Sequence, residues 1–297
     1  MDTLNTAFRD HIKNAISLSK APAVVTGENV YQEGANDILP YLDKMVEALL
    51  LPGSGVDGLE NLEELYAKAE LGKSCLLLPE HYSNLDLSLF SYLVRKAGGR
   101  GEEIGSSVIA IAGMKLTEES RVVSAFASAY SRIVIYPSRS LRGLEGEKRE
   151  TERTRSNAIN RAAMKALMNV KNSGRMILIF PSGTRYRPGD PSTKRGVREI
   201  DSYIRSFDYM CFVAINGEVL HIKHGDMMDD AVSKDVVRIG VGPVISCGEF
   251  RGKVMAEADV NVAFNRADKK QAVADSIMAE LERMHLEGEK KREPFLK

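Results

Sequence analysis

From residue 72 onward the chain alternates short apolar runs with stretches of helical periodicity, and this alternation constrains the fold more than any other feature. The strand-like runs are Cys75 to Leu78, Val108 to Ala112, Ile133 to Tyr136, Met176 to Phe180, Met210 to Ile215 and Val236 to Val241. Helical patterns lie between several of them, at 85–97, 117–129 and 153–172, the last with Ile159, Ala163, Leu167 and Val170 on its apolar face. Such alternation predicts an α/β domain with a mixed, largely parallel sheet flanked by helices. Residues 1–71 show three amphipathic stripes, Leu4/Phe8/His11/Ile12/Ala15, Ile38/Leu42/Met45/Leu49 and Leu59/Leu62/Leu65/Ala69, and no clear strand signal. They predict a small N-terminal helical domain, a bundle or lid, packed on an α/β domain spanning 72–297. A final helix is expected over 269–287, with a frayed charged tail from Gly288. The mixed charges of 141–156 read as a solvated loop and helix start.

Charge and cysteine content narrow the function classes. The 41 basic and 41 acidic residues balance, which argues against a nucleic-acid partner held by bulk electrostatics. Cys75, Cys211 and Cys247 are far apart, and two of them sit in apolar runs, so neither a disulfide framework nor a zinc site is expected. His221 and His224 have a spacing seen in metal sites, yet no Cys or further His stands near them, and no metal role is assigned. No apolar run is long enough to span a bilayer, and the first residues do not read as a signal peptide. The expected location is cytoplasmic, with peripheral contact at the inner face of the membrane left open.

Two strand ends carry chemistry. The run Cys75 to Leu78 ends at Pro79 and is followed by His81, with Asp86 five positions on. Imidazole titrates near neutral pH and can take a proton from an attacking hydroxyl, while a carboxylate on its other nitrogen fixes the tautomer. A plainer reading stands beside this one: Ser83-Asn84-Leu85-Asp86 is an acidic variant of a helix capping box. The run Met176 to Phe180 ends in Pro181-Ser182-Gly183-Thr184-Arg185-Tyr186-Arg187. Glycine permits close backbone approach, and two arginines at i, i+2 can hold a phosphate through paired hydrogen bonds. Arg139, after a third strand, can reach the same crevice, and Lys115, after a fourth, is a further candidate substrate contact. Each of these cations can equally be a solvated loop residue.

His81-Tyr-Ser-Asn-Leu-Asp86 resembles the H-x4-D motif of the glycerolipid acyltransferases, and Phe180-Pro-Ser-Gly-Thr-Arg185 resembles their F-P-E-G-T-R motif at the expected order and distance. Ile111 to Leu116 and Ile133 to Arg139 sit where that family places its intermediate blocks, so the resemblance covers about 72 to 245. Ser182 stands where the lysophosphatidate branch has Glu, and Arg185-Tyr-Arg187-Pro188 is similar to the soluble plastid-type glycerol-3-phosphate 1-acyltransferases, which also carry an N-terminal helical domain. The H-x4-D interior and Thr184 are closer to the bacterial-type pattern.

The resemblance implies transfer of a fatty acyl group from an acyl carrier protein or coenzyme A thioester to the sn-1 hydroxyl of glycerol 3-phosphate, a first step of phospholipid synthesis. It implies no metal and no cofactor beyond the thioester co-substrate. His81 would be the general base, Asp86 its support, and Arg139, Arg185 and Arg187 the phosphate ligands. Lys115, Ser182, Gly183 and Thr184 would be candidate contacts. Lysophosphatidate is the alternative acceptor, and a phosphate- or lipid-binding module is the non-enzymatic alternative.

Overall fold

The computed structural model describes residues 1–118, 120–223, 227–261 and 266–296. Its first part supplies helix α1 (Leu4–Leu18), strand β1 (Tyr31–Gln32), α2 (Leu39–Leu49), β2 (Gly55–Asp57) and α3 (Leu59–Glu70). Next come β3 (Cys75–Pro79), α4 (Asp86–Lys96), α5 (Gly101–Ser107), β4 (Val108–Gly113), α6 (Lys115–Glu118), α7 (Arg121–Ser128) and β5 (Arg132–Ile135). The remainder is α8 (Gly146–Val170), β6 (Met176–Leu178), α9 (Ile200–Ile204), β7 (Tyr209–Asn216), β8 (Leu220–His221), β9 (Ala231–Val232), β10 (Arg238–Val241), β11 (Ile245–Ser246), α10 (Cys247–Asn261) and α11 (Arg266–Arg292).

The main sheet has the order β1-β5-β4-β6-β3-β7-β10-β2, with β11 also on β7, while β8 and β9 pair separately. The five central strands β5, β4, β6, β3 and β7 are mutually parallel. β1, β10 and β11 join them antiparallel, and β2 lies parallel to β10. The expected α/β class with a mixed, largely parallel sheet is therefore what the chain adopts.

β3 is buried along its whole length, as a strand covered on both faces must be. Alternation sends Cys75 and Leu77 to one face and Leu76 and Leu78 to the other. The first face packs on α1, α2, α3, α4, α5 and α7, the second on α8, α9, α10 and α11. The stripes read in residues 1–71 are thus the buried faces of helices that share the sheet's own core: Leu4, Ile12, Leu42, Met45, Leu62 and Leu65 belong to the same apolar cluster as Leu77 and Val213.

Four differences from the sequence reading have physical causes. Residues 1–71 do contribute strands, but β1 and β2 are two and three residues long, too short to display a period of two. The pattern at 117–129 is divided between α6 and α7, because Ser120 turns extended and its hydroxyl accepts the Val123 N–H as an N-cap. The strand expected through Phe180 ends at Leu178, although the Ile179 N–H still reaches the Leu77 carbonyl at 3.0 Å. The tail after Gly288 is docked rather than frayed. α11 runs on to Arg292, which donates to Val236 O at 2.7 Å and Asp235 Oδ1 at 2.5 Å, and the Arg238 guanidinium lies over the Phe295 ring.

Candidate active site

Parallel strands point the same way, so the loops after β3, β4, β5 and β6 emerge together at the carboxyl end of the sheet. The loop after β3 carries His81. Its Nδ1 lies 2.9 Å from Asp86 Oδ2. Asp86 is the first residue of α4 and is 2% exposed. Its carboxylate also accepts the N–H groups of Tyr82 at 2.6 Å and Ser83 at 2.9 and 3.0 Å, and the Ser83 hydroxyl at 2.7 Å. A carboxylate only accepts, so Nδ1 carries the imidazole proton and Nε2 presents its lone pair.

The capping-box reading is half realised. The acidic side chain reaches back to the Ser83 N–H, but the helix starts two residues later than a box would have it, and the Ser83 hydroxyl accepts from Leu85 N–H instead. Asp86 thus serves the turn and the histidine together. The His81 ring is stacked on Phe180, with centroids 3.9 Å apart and an interplanar angle of 19°. Phe180 is free to do this because it has left the β6 ladder.

The loop after β6 is bound to the first one. The Tyr186 N–H donates to the His81 carbonyl at 2.8 Å. Within this loop Ser182 is buried and its hydroxyl donates to the Thr184 carbonyl at 2.7 Å, so it shapes the turn. Gly183 has φ +59°, a conformation that L side chains rarely adopt. Its carbonyl accepts from the Arg139 guanidinium, which ties the loop after β5 to the same rim. Arg185, half-buried, makes no hydrogen bond to the described residues. Burial pulls its guanidinium below the usual range, Asp230 and Asp86 counteract this, and Arg187 adds repulsion. Arg139 is lowered likewise, by burial first and then by the charges of Arg187 and Arg142.

Arg187 therefore stands close enough to Arg139 and to Arg185 to repel both, and Arg185 close enough to Asp86 to feel its charge. A guanidinium cluster of this kind is a place for an anion. Thr184, next to Arg185 in the chain, is partly buried. Lys115 is exposed at the start of α6, at the end of β4, a strand separated from β3 by β6.

Three residues were not singled out in the sequence. Glu80, 4% exposed, accepts the Ile215 N–H at 2.9 Å and the Tyr82 hydroxyl at 2.7 Å, and pairs with His285 Nδ1 at 2.9 Å. Asp230, buried, is the charge nearest in effect to Arg185 and accepts from Lys223 N–H at 2.8 Å. His285 had a legible signal: the stripe Ile277–Leu281 on α11 continues at four-residue spacing through it. His221 is bonded to Ser233 Oγ at 2.7 Å, and His224 lies outside the described residues. No group of three or more His, Cys, Asp or Glu placed to hold a metal occurs among the described residues. None of the described helices is long and apolar enough to cross a membrane.

A search of curated proteins finds no match to the chain. The sequence pattern of the Acyltransferase family matches residues 54–225, more than half of its length, and this span contains His81, Asp86 and the whole arginine rim. Both motif loops and the paired imidazole thus fall within the matched region, and the chain belongs to the acyltransferase family.

Proposed function

We propose that this acyltransferase moves a fatty acyl group from an acyl carrier protein or coenzyme A thioester to the sn-1 hydroxyl of glycerol 3-phosphate. The observation that carries the reading is the Tyr186–His81 backbone hydrogen bond, because it fixes a loop bearing Arg185 and Arg187 against an imidazole paired with a carboxylate. An acceptor suited to such a rim has a phosphate at one end and a hydroxyl a few bonds away.

In this reading Arg139, Arg185 and Arg187 hold the phosphate and set the hydroxyl beside Nε2 of His81. Nε2 takes the hydroxyl proton as oxygen attacks the thioester carbonyl. The C–O bond forms, the C–S bond breaks, and the thiolate leaves and is reprotonated. Asp86 keeps Nδ1 protonated and stabilises the imidazolium. General-base assistance is worth about 10²–10⁴-fold, so holding the two substrates in line supplies much of the remainder.

The test is an assay crossing two acceptors, glycerol 3-phosphate and lysophosphatidate, with two donors, acyl-coenzyme A and acyl-acyl carrier protein. Turnover of glycerol 3-phosphate that is lost in His81→Ala is the expected result. Strong preference for the lyso-lipid would assign the other acceptor. Absence of thioester consumption with every pair would favour a binding module. Peripheral membrane contact is part of the proposal, since the product is a lipid, and flotation with anionic vesicles tests it.

A further inference from the structure

The residues on both sides of His81 are held by groups that take no part in the chemistry just described. Glu80 precedes it and Tyr82 follows it. The Glu80 carboxylate joins them directly through the Tyr82 hydroxyl at 2.7 Å, while its other oxygen accepts from Ile215 N–H at 2.9 Å and meets His285 Nδ1 at 2.9 Å. The Tyr82 hydroxyl also lies 3.3 Å from His285 Nδ1, and the two rings are 5.6 Å apart. The three side chains form one cluster beneath the loop, tied to β7 by Ile215 and to α11 by His285.

α11 reaches this point because its register is fixed independently. Asn216, at the end of β7, donates to the His285 carbonyl and to Glu289 Oε1, both at 2.9 Å. Gly288, one turn later, lets the helix approach that asparagine closely. Arg292 then anchors the last turn on Asp235 and Val236. His285 is thus delivered to Glu80 as a fixed group.

Tyr82 is also the residue whose N–H donates to Asp86 Oδ2, the oxygen that meets His81. A shift of Glu80 or Tyr82 therefore moves the carboxylate's donors and the imidazole together. We propose that Glu80 and His285 are positioning residues: through Tyr82 they hold the His81–Asp86 pair in its working geometry, so that the C-terminal helix α11 is a component of the catalytic apparatus. The proposal rests on the reading of His81 as the base. Displacement of reacting groups by about an ångström costs on the order of 10²-fold in rate, while groups that bind the acceptor are untouched.

The test compares wild type, His285→Leu and His285→Gln, with glycerol 3-phosphate and whichever of palmitoyl-coenzyme A and palmitoyl-acyl carrier protein the wild type turns over. His285→Leu is expected to lower kcat by about ten- to a hundred-fold with the KM for glycerol 3-phosphate unchanged, and His285→Gln, which keeps a donor, to recover most of it. In the substrate-free chain the downfield proton resonance of His81 Nδ1–H, assigned by its loss in His81→Gln, should shift or broaden in His285→Leu and return in His285→Gln. If His285→Leu does not fold, Tyr82→Phe replaces it and is expected to show the same loss and the same spectral change. Native kcat with an unmoved resonance, even at a lowered melting temperature, would reduce the cluster to a structural role and overturn the proposal. Retained transfer in His81→Ala would instead remove His81 as the base, and the resonance would still decide whether α11 positions the pair.

Discussion

The backbone N–H of Tyr186 donates to the carbonyl of His81 at 2.8 Å, so two loops far apart in sequence form one rim. β3 and β6 are neighbours in register, Leu77 opposite Leu178, and their loops leave the sheet side by side. The side chains at 81 and 185 are thereby placed by backbone geometry before any ligand contributes.

His81→Ala should lower kcat by about 10²–10⁴-fold and leave the melting temperature near that of the wild type, since the ring hangs from a loop and is partly exposed. Asp86→Asn should differ in kind. Its carboxylate also accepts from the Tyr82 and Ser83 N–H groups inside a buried turn, so losing the charge weakens the fold as well. A loss of about 1–3 kcal/mol is expected for a buried hydrogen-bonded group of this sort. Paired kcat and urea-unfolding measurements separate the two; equal stability of both variants would contradict the carboxylate's double duty.

The arginine rim gives a second expectation. Arg187→Ala should raise the KM for the phosphate acceptor with little change in kcat, because it removes binding common to ground and transition states. Arg187 also repels both Arg139 and Arg185 in the free chain, so an anion that neutralises them stabilises the fold. Inorganic phosphate at a hundred times its Kd should add about 2.7 kcal/mol, read as a rise in melting temperature. The double change Arg185→Ala/Arg187→Ala should remove most of that rise. An undiminished rise would place the anion elsewhere.

Much of this was legible in the sequence, for identifiable reasons. The apolar runs that became β3, β4, β5, β6 and β7 are buried on both faces, which leaves a strong compositional mark, and β10 alternates with Ile239 and Val241 buried. Strands β1 and β2 leave none, because a few edge residues gain their hydrogen bonds from partners far along the chain, Ile133 and Ile239 among them. The candidate residues at 81, 86, 139, 185 and 187 follow strand ends and could be picked out there as candidates. Glu80 and His285 could not be paired in advance, since the two are brought together only by α11 crossing β7. The docked tail was missed for a similar reason: a charged sequence reads as solvated until Asp235 supplies the partner for Arg292.

Gly288 offers a test of how closely that helix is seated. In an exposed helix, glycine to alanine is worth up to about 1 kcal/mol of stabilisation. Here an added Cβ would lie 2.8 Å from Asn216 Cγ, and that side chain is fully buried and held by its bonds to His285 O and Glu289. Neither the asparagine nor the helix can retreat cheaply. Gly288→Ala should therefore destabilise the chain by about 1–3 kcal/mol, the usual cost of overpacking. Chemical denaturation measures it, and a more stable variant would contradict the close approach.

The contact of His285 with Glu80 makes stability depend on pH. Burial pulls the His285 imidazolium down, but its hydrogen bond and charge interaction with Glu80, assisted by Glu289, more than offset this and the opposing charge of Lys194, so its pKa is raised above 6.5. A raised folded value means that the folded chain holds the proton more tightly than the unfolded one. The resulting stabilisation is fully present below the unfolded pKa and disappears as pH climbs through the folded one. Tyr82, which shares the cluster with Glu80 and His285, is pushed upward by burial and by Glu80 and stays neutral across this window. The stability difference between wild type and His285→Gln should accordingly be larger at about pH 6 than at about pH 9, because glutamine does not titrate and histidine does. Urea midpoints for both chains at the two pH values provide the measurement. A difference that is constant would mean that folding leaves the His285 pKa unmoved, and one that grows with pH that the folded chain holds it neutral; either would mean that its bond to Glu80 is not charge-assisted.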